Sequence, residues 1–485
     1  VDLPPPPRSD DPGALARLRE ALEAASYSHD GLEATLGVDG LSPSPNDAPI
    51  VERRLPVGRA ISTYVRLFML ERPAPRGDAA AAFGPLGLEG AVELGLVADS
   101  GTEVVPLVRL VPSGGLTFAS DRRTGSTQVM GVAPSSALLA NLTVRQPVER
   151  ALDVGTGSGV QAILAARHAE RVVATDLSPR ALAFAAFNLA LNGVENVELR
   201  EGSFFEPVEG ERFGLVVSNP PFVVSPDLSI TYRDAGLRGD AVSELVVREA
   251  AAHLEPGGFA HILVAWAHKA EGDWAAPVRG WVERSGCDTV LLRYVSDDPL
   301  TYAARWNPPA QTPDLDEVLD RWIAYYAELG IEAIAYGAIA LRRREGANWV
   351  FAEDVPERIE TASDHVEGLF ELQDFLAGGR DLAYERLVLV DDHVLEQALH
   401  LEDGVFAVKG AAIRLTEGLG FQAGIDVWTA HVVTRLDGRR TVREAIADTA
   451  ATLGPEGLSA EELGRAAMPA LRRMVELGFL VPAGR

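Results

Sequence analysis

The run Val216-Val217-Ser218-Asn219-Pro220-Pro221-Phe222 is an apolar stretch ending in a rigid polar turn. An amide or aromatic amino nitrogen is a poor nucleophile because its lone pair is delocalised. Acceptors on both of its hydrogens favour the pyramidal geometry needed for attack. The side-chain oxygen of Asn219 and the backbone carbonyl of Pro220 can serve as those acceptors. Pro220 and Pro221 in succession fix φ and hold the carbonyls in place, so the electrostatics are preorganised. Phe222 would stack on the planar group and keep its nitrogen in line with a methyl sulfonium. Asn307-Pro308-Pro309 repeats the triplet, but Arg305-Trp306 precede it and Ala310 follows. With no apolar strand before it and no aromatic after it, this copy is read as a decoy.

A second constellation lies upstream. The strand Ala151–Val154 runs into Asp153-Val154-Gly155-Thr156-Gly157-Ser158-Gly159, followed by a helix from Val160 to His168. Glycines at 155, 157 and 159 let the backbone approach a ligand closely and keep the strand-to-helix turn tight. A dinucleotide fingerprint starting at Gly155 would want glycine at 160, where the chain has Val160. The choice therefore tips from a nicotinamide dinucleotide to S-adenosylmethionine. Asp176 ends the next strand, 21 residues after Gly155, and its carboxylate can accept both ribose hydroxyls of an adenosine. The competing role for such an Asp is to cap the helix that starts at Ser178-Pro179.

With these residues in view, the stretch from about Val129 to Leu341 resembles a class I S-adenosylmethionine-dependent methyltransferase of the Asn-Pro-Pro-aromatic group. Asp153 to Gly159 and Asn219 to Phe222 are most similar to the release-factor glutamine-N5 and small-domain ribosomal RNA members. The resemblance implies a Rossmann-like fold and S-adenosylmethionine as cofactor. It implies a cofactor set of Asp153, Gly155, Thr156, Gly157, Gly159, Asp176, Leu177, Ser203, Phe204 and Asn219. Asn219, Pro220, Pro221 and Phe222 are the implied catalytic set. The family usually has Gly-Asp after its third strand, where this chain has Gly202-Ser203. Ser203 would bond the adenine amino group there, with Phe204 against the ring. Val132-Ala133-Pro134-Ser135-Ser136-Ala137-Leu138-Leu139 is similar to the proline-containing segment that borders the cofactor in glutamine methyltransferases, but it lacks the usual acidic residues. Between Phe222 and Asp240, a loop holding Tyr232 and Arg233 is a candidate substrate lid. The acceptor is a protein or peptide carboxamide or a nucleic-acid base. The alternatives are a small-molecule methyltransferase and a scaffold that binds cofactor without turnover.

The elements that must position these residues follow from periodicity. From Arg150 onward, β-branched runs alternate with Ala/Leu-rich helices, which predicts an α/β fold with a mostly parallel sheet. The strands are Ala151–Val154, Arg171–Thr175, Val197–Arg200, Leu215–Ser218, Phe259–Val264, Val290–Tyr294 and Ala335–Leu341, seven in all, with a helix over Leu315–Leu329. Residues 1–120 read as three small helices, the last over Ile61–Leu70, and a few strands around Val104–Leu110 and Gly114-Gly115. Residues 121–345 form the catalytic domain, and 346–485 an acidic α+β domain. The last domain ends in helices Asp426–Leu436, Val442–Leu453 and Glu461–Leu477, a turn at Asp437-Gly438 and a strand Phe479–Val481. Both flanks are read as winged-helix-like, modules that recruit macromolecular or peptide acceptors and also serve as interfaces in homodimers. From Phe351 to Asp403 there are 15 Asp and Glu against 3 Arg, read as a solvated acidic face.

Composition sets the outer bounds. The 485 residues are 47% apolar, with 44 Lys and Arg against 70 Asp and Glu, a net charge of −26. That field repels polyphosphate backbones and disfavours non-specific nucleic-acid binding. Cys287 is the only cysteine, so a disulfide framework is excluded and a cytoplasmic location is expected. No signal-like start and no run of about 18 apolar residues points to a membrane. His253, His261 and His268 fall on different elements, so no metal site is expected. Cys287, Trp266, Trp274 and Trp281 read as packing residues.

Overall fold

The computed structural model describes residues 3–37, 44–122, 128–227, 237–309, 312–356, 359–402, 404–453 and 458–484. Its centre is a mixed sheet of β1 (Val148–Val154), β2 (Ala169–Asp176), β3 (Val197–Glu201), β4 (Phe213–Ser218), β5 (Leu254–His268), β6 (Cys287–Asp297), β7 (Ala333–Arg343) and β8 (Val350–Asp354). The order is β8-β6-β7-β5-β4-β1-β2-β3. Only β7 runs antiparallel to its neighbours. This is the Rossmann-like α/β arrangement that the alternation predicts. The inner strands are buried on both faces, which is why they read as continuous apolar runs.

The strand count is corrected from seven to eight. Val350–Asp354 pairs in parallel with β6, Val350 opposite Thr289. Its acidic end reads in sequence as the start of a solvated stretch, but Asp354 pairs with Arg293 and Glu353 with Arg473. Within the acidic segment Asp374 likewise pairs with Arg342 and Glu396 with Arg414, while Glu360, Asp364, Asp381, Asp391 and Asp392 are exposed, as a solvated acidic face requires. A part of the segment's charge thus joins elements, and the rest faces solvent.

The helices around the sheet are α1 (Pro134–Leu142), α2 (Val160–Ala165), α3 (Pro179–Leu191), α4 (Ala241–Ala252), α5 (Ala276–Val282), α6 (Pro299–Trp306) and α7 (Leu315–Leu329). The chain leaves β1 towards β2 on one side while β4 lies on the other. The order therefore reverses between β1 and β4, and the crevice at their carboxyl ends is where open α/β sheets bind ligands.

On the amino-terminal side, the helix Pro12–Ala24 is capped by Asp11, and the helix His29–Leu36 stops at Gly37 with φ +67°. The helix expected over Ile61–Leu70 spans Ala60–Met69, its second half wound as a π-helix. The run Val104–Leu110 proves to be two strands in two sheets. Glu103–Pro106 lies in a three-stranded antiparallel sheet, and Val108–Ser113 forms a hairpin with Leu116–Asp121. Gly114 and Gly115, both at positive φ, make the hairpin turn.

That hairpin is stitched to α3. The Asn188 side chain donates to the Ala119 carbonyl and accepts from its N–H (2.9 and 2.6 Å). Asn192 does the same with Thr117 (2.9 and 3.0 Å). Four residues of helix and two of strand both advance about 6–7 Å, so the pairs match in register. On the carboxy-terminal side, helices Val427–Val433, Val442–Leu453 and Ala460–Glu476 accompany a small sheet of Asp437–Thr441, Arg386–Leu389 and Leu480–Pro482. Asp437-Gly438 thus opens a strand rather than forming only a turn. Its pairing with Arg386–Leu389, distant in sequence, left no local signal.

Candidate functional site

The carboxyl ends of β2, β1 and β4 lie side by side, with Val154 opposite both Thr175 and Ser218. Adjacent strands are about 4.8 Å apart, so Gly155, Asp176 and Asn219 emerge as neighbours although 64 residues separate the first from the last. Ser218 Oγ donates to the Val154 carbonyl (2.9 Å), which locks the two central strand ends together.

Gly155, Gly157 and Gly159 have φ of +71°, +56° and +85°. A Cβ at Gly155 or Gly157 would enter space free of protein atoms, whereas one at Gly159 would press on Ala185 at 3.2 Å. The first two glycines therefore keep an open cradle, and the third lets α2 pack against α3. Asp153 is 1% exposed. Its Oδ2 accepts from Thr156 Oγ1 (2.6 Å) and from the Ala162 N–H (2.9 Å). Both bonds brace the loop and the first turn of α2 from beneath. Burial pushes the Asp153 carboxyl up to about 7.

Asp176 stands above the cradle. One carboxylate oxygen accepts from the Gly157 N–H (2.8 Å) and the other from the Ser178 N–H (2.9 Å). The cap of α3 is Ser178, whose side chain accepts from Ala181 N–H. Capping is thus done by another residue, and each Asp176 oxygen keeps a lone pair for a ligand. Burial pushes its carboxyl above the usual range. Leu177 beside it is 69% exposed, a large apolar side chain open to solvent. The Asp176 carbonyl accepts from Gly202 N–H (3.1 Å), which brings the loop after β3 to the same place. Ser203 is half-buried there, and Phe204 has φ +45°, a left-handed conformation rare for a side-chain-bearing residue. Thr175 Oγ1 holds it by donating to the Phe204 carbonyl (2.9 Å).

On the other side of β1, Asn219 is half-buried and Pro220 is buried. Asn219 Nδ2 donates to Ser135 Oγ at the start of α1 (3.1 Å). The other branch of the amide, Oδ1, accepts no hydrogen bond among the described residues. Pro221 leads to Phe222, whose ring is buried against Tyr336 (5.1 Å between centroids) and Trp306 (6.4 Å). The chain beyond is clasped by two tyrosines: Tyr302 accepts from Val224 N–H (3.2 Å) and Tyr326 donates to its carbonyl (2.8 Å). Asn307 of the second triplet ends α6, its amide turned inward onto the Ala303 carbonyl.

The fold thus brings together Asp153, Gly155, Thr156, Gly157, Gly159, Asp176, Leu177, Ser203, Phe204 and Asn219 to Phe222. Tyr232 and Arg233 lie outside the described residues. Ser135 lies in the segment that sequence reading set beside the cofactor, but its role on Asn219 had no signal there, because the two are 84 residues apart. Among the described residues no group of three or more His, Cys, Asp or Glu could hold a metal. His261 is buried in β5 with Nε2 on the Val144 N–H (3.2 Å), and burial pushes it down to about 3. Cys287 is buried. No described helix is long and apolar enough to cross a membrane.

Residues 131–272 match the family model described as methyltransferase small domain. Residues 24–107 and 367–482 match two models described only as domains of unknown function, DUF7059 and DUF7782. Over 149 residues the chain is 37% identical to the release factor glutamine methyltransferase of Xylella fastidiosa, covering 28% of this chain and 52% of the relative. It is 37% identical over 173 residues to the protein of that name from Deinococcus radiodurans, covering 32% and 60%. It is 39% identical over 127 residues to the ribosomal protein uL3 glutamine methyltransferase of Bradyrhizobium diazoefficiens, covering 23% and 39%. The chain spans about half the length of the curated relatives it matches.

Proposed function

We propose that this chain, whose residues 131–272 are a class I methyltransferase domain of the small-domain type, methylates the carboxamide nitrogen of a protein glutamine. S-adenosylmethionine supplies an electrophilic methyl on a sulfonium. The open cradle at Gly155 and Gly157, the paired lone pairs of Asp176, exposed Leu177 and the half-buried Ser203 fit its aminoacyl, ribose and adenine parts.

The observation that carries the reading is the orientation of Asn219. With Nδ2 given to Ser135, Oδ1 is the branch left to accept from an incoming –NH2 group, and the Pro220 carbonyl takes its second hydrogen. Both acceptors are fixed before the acceptor arrives, so they stabilise the pyramidal, partly cationic nitrogen without reorganisation. As the N–C bond forms the S–C bond breaks, and the extra proton leaves the cationic nitrogen for solvent.

A net charge of −26 favours a protein acceptor over a nucleic-acid base, and the names of the glutamine-methylating relatives point the same way. We take residues 121–345, together with β8, as the catalytic unit. The flanking domains, 1–120 and 346–485, are read as winged-helix-like modules that recruit the acceptor in the cytoplasm. Ser203, in place of the family's acidic residue, favours one second reading, a scaffold that binds cofactor without turnover.

The test is transfer of labelled methyl from S-adenosylmethionine into cell extract split into protein, nucleic-acid and small-molecule fractions, with Asn219→Ala as control. The expected label is in protein, lost in the variant, and released as volatile methylamine on acid hydrolysis. Label in nucleic acid would replace the acceptor class. No Asn219-dependent label, despite cofactor binding, would favour the scaffold.

A further inference from the structure

Methyl transfer gives no task to one surface of the carboxy-terminal domain. The strands His393–Glu402 and Val405–Leu415 form an antiparallel hairpin. A third strand, Gln422–Gly424, joins it only opposite Ala412 to Arg414, so the outer half of the hairpin stands as two strands alone. Its first strand alternates with a period of two: Leu395, Leu399 and Leu401 interleave with Glu396, His400 and Glu402. That is the pattern of a strand with one buried face.

Register decides what the face carries. Leu395 pairs with Ile413, Leu399 with Val408 and Leu401 with Phe406. Between the pairs Ala398–Gly410 and Leu399–Val408 the ladder skips Lys409, the extra residue of a bulge. Without that residue Phe406 and Val408 would turn to the opposite face. With it, the apolar pairs share one side, and Gln397 opposite Ala411 is the most polar pair among them. The charges stand on the other side, where Glu396 pairs with Arg414 and Glu402 with Lys409. At its base the apolar face is continuous with the domain core, in which Ile413 and Leu415 are buried. Further out it emerges from that core: Leu395, Leu399, Leu401, Phe406 and Val408 are between 45% and 67% exposed. An isolated two-stranded hairpin is marginal in water. These five side chains present roughly 500 Å² of apolar surface, near the upper end of the largest patch that a monomer carries.

We propose that this face is a dimer interface: two copies of the chain pack hairpin on hairpin about a two-fold axis, one apolar sheet face against the other. Charge and area select this occupant. A face without charged residues gives a basic or acidic partner nothing to pair with, and its complement is a second uncharged sheet face. Stacked sheets lie about 10 Å apart with their side chains interdigitated. The exposed pairs from Leu395 to Leu401 span about 20 Å. In an antiparallel two-fold arrangement the tip residues Leu401 and Phe406 of one hairpin therefore cover Leu395 of the other, and Leu399 and Val408 lie near the axis. Gln397 sits beside that axis, and its amide, both donor and acceptor, is complementary to its own copy. The five side chains of two copies bury roughly 1,000 Å², and Gln397, Ala411 and the strand backbones raise this to about 1,200 Å², the lower bound of specific stable interfaces. A charge of −26 on each chain opposes approach at long range. Salt screens that repulsion without weakening apolar contact, so the dimer should tighten as salt rises.

The test is sedimentation velocity of the full chain between about 1 and 100 μM, the range in which an interface of this size associates, at low and high sodium chloride. The wild type is expected to shift from the mass of one chain to twice that mass, and to do so at lower concentration in high salt. Leu399→Glu, which sets two like charges near the axis, should raise the dissociation constant about 100-fold or more. Val405→Glu places the same charge on the ion-paired face of the same hairpin, and should leave it unchanged. Both positions are exposed, so unchanged melting temperatures and S-adenosylhomocysteine affinities are expected in both variants. A photo-crosslinker in place of Phe406 should capture a second copy of the chain. A wild type that stays monomeric throughout, or whose crosslinker captures a different protein instead, overturns the proposal. So does a dimer that survives Leu399→Glu, one lost equally in Val405→Glu, or one that weakens as salt rises.

Discussion

Gly155 and Gly159 belong to one loop and both have positive φ, yet alanine at the two positions should fail in different ways. At 159 two costs combine. Holding alanine in the left-handed region at φ +85° costs about 1–2 kcal/mol. The new Cβ would sit 3.2 Å from Ala185 Cβ and 3.3 Å from its Cα, which belongs to helix α3 and cannot swing aside. Overpacking of that kind costs about 1–3 kcal/mol, so Gly159→Ala should lose roughly 2–5 kcal/mol of stability. At 155, φ is +71° and no protein atom lies within 4 Å of the new Cβ, so only the backbone cost of about 1–2 kcal/mol applies. The empty space it enters is where the cofactor's approach to the loop is expected, so its affinity should drop about tenfold or more, at least ~1.4 kcal/mol. Urea denaturation followed by tryptophan fluorescence, with calorimetric titration of S-adenosylhomocysteine, separates the two. If Gly159→Ala proves no less stable than Gly155→Ala, the packing account of Gly159 is wrong. If Gly155→Ala binds cofactor as the wild type does, the cradle is not the binding surface.

Three further outcomes follow from the same geometry. Ser135→Ala frees the Asn219 amide to rotate and should lower kcat about tenfold, with cofactor affinity unchanged and rescue by Ser135→Thr; a fall in cofactor affinity alone would contradict a role in orienting Asn219. Asp153 has a carboxyl pushed up to about 7 in the fold from 3.8, so the native state holds a proton that the unfolded chain releases. Its contribution to stability is complete below about pH 4 and is lost as pH rises through about 7. Asp153→Asn keeps an acceptor for Thr156 and Ala162 without titrating, so it should gain stability relative to wild type as pH rises from about 4 to about 7 and level off above; a pH-independent difference would rule out the raised value. Asn188→Ala strips hydrogen bonds from the backbone of Ala119 and from the Ser158 carbonyl in a buried place. It should cost about 2–3 kcal/mol, with faster amide exchange along Leu116–Asp121; unchanged exchange there would show that the hairpin is held by other contacts.

The parts of this molecule that were legible in sequence are those whose signal is local. Strands buried on both faces spell apolar runs, so Leu215–Ser218 and Phe259–Val264 declare themselves. The glycine loop and Asn219 to Phe222 are contiguous, and the residues around them tell the true triplet from the copy at Asn307. What escaped is set by pairing across long separations. Val350–Asp354 carries two acids that look solvated until Arg293 and Arg473 arrive beside them. Tyr294, the extra residue between the pairs Arg293–Gly337 and Val295–Tyr336, reads as an ordinary strand residue, because a bulge is a property of the register between β6 and β7 and not of either strand alone. Phe204 shows nothing in sequence of its positive φ, which is imposed by the Thr175 hydroxyl and the close approach of Gly202 to the Asp176 carbonyl.

The segment before β1 has the largest gap between what it spells and what it does. It lacks the acids that its counterpart carries in the glutamine methyltransferases, and without them it reads as a plain helix start. Yet three bonds tie it to both halves of the site. Ser158 Oγ of the glycine loop donates to the Met130 carbonyl (2.8 Å), and Gln161 of α2 donates to the Ser136 carbonyl (2.7 Å). Between those two anchors, Ser135 receives the amide of Asn219 (3.1 Å). Two of the links use backbone carbonyls, which survive any substitution in the segment, and the third uses one hydroxyl. The segment can therefore lose its acids and still align the glycine loop with Asn219, provided that position 135 keeps a small side chain with an acceptor oxygen. A hydroxyl there holds the Asn219 amide by a single neutral hydrogen bond and leaves its Oδ1 turned away from the segment.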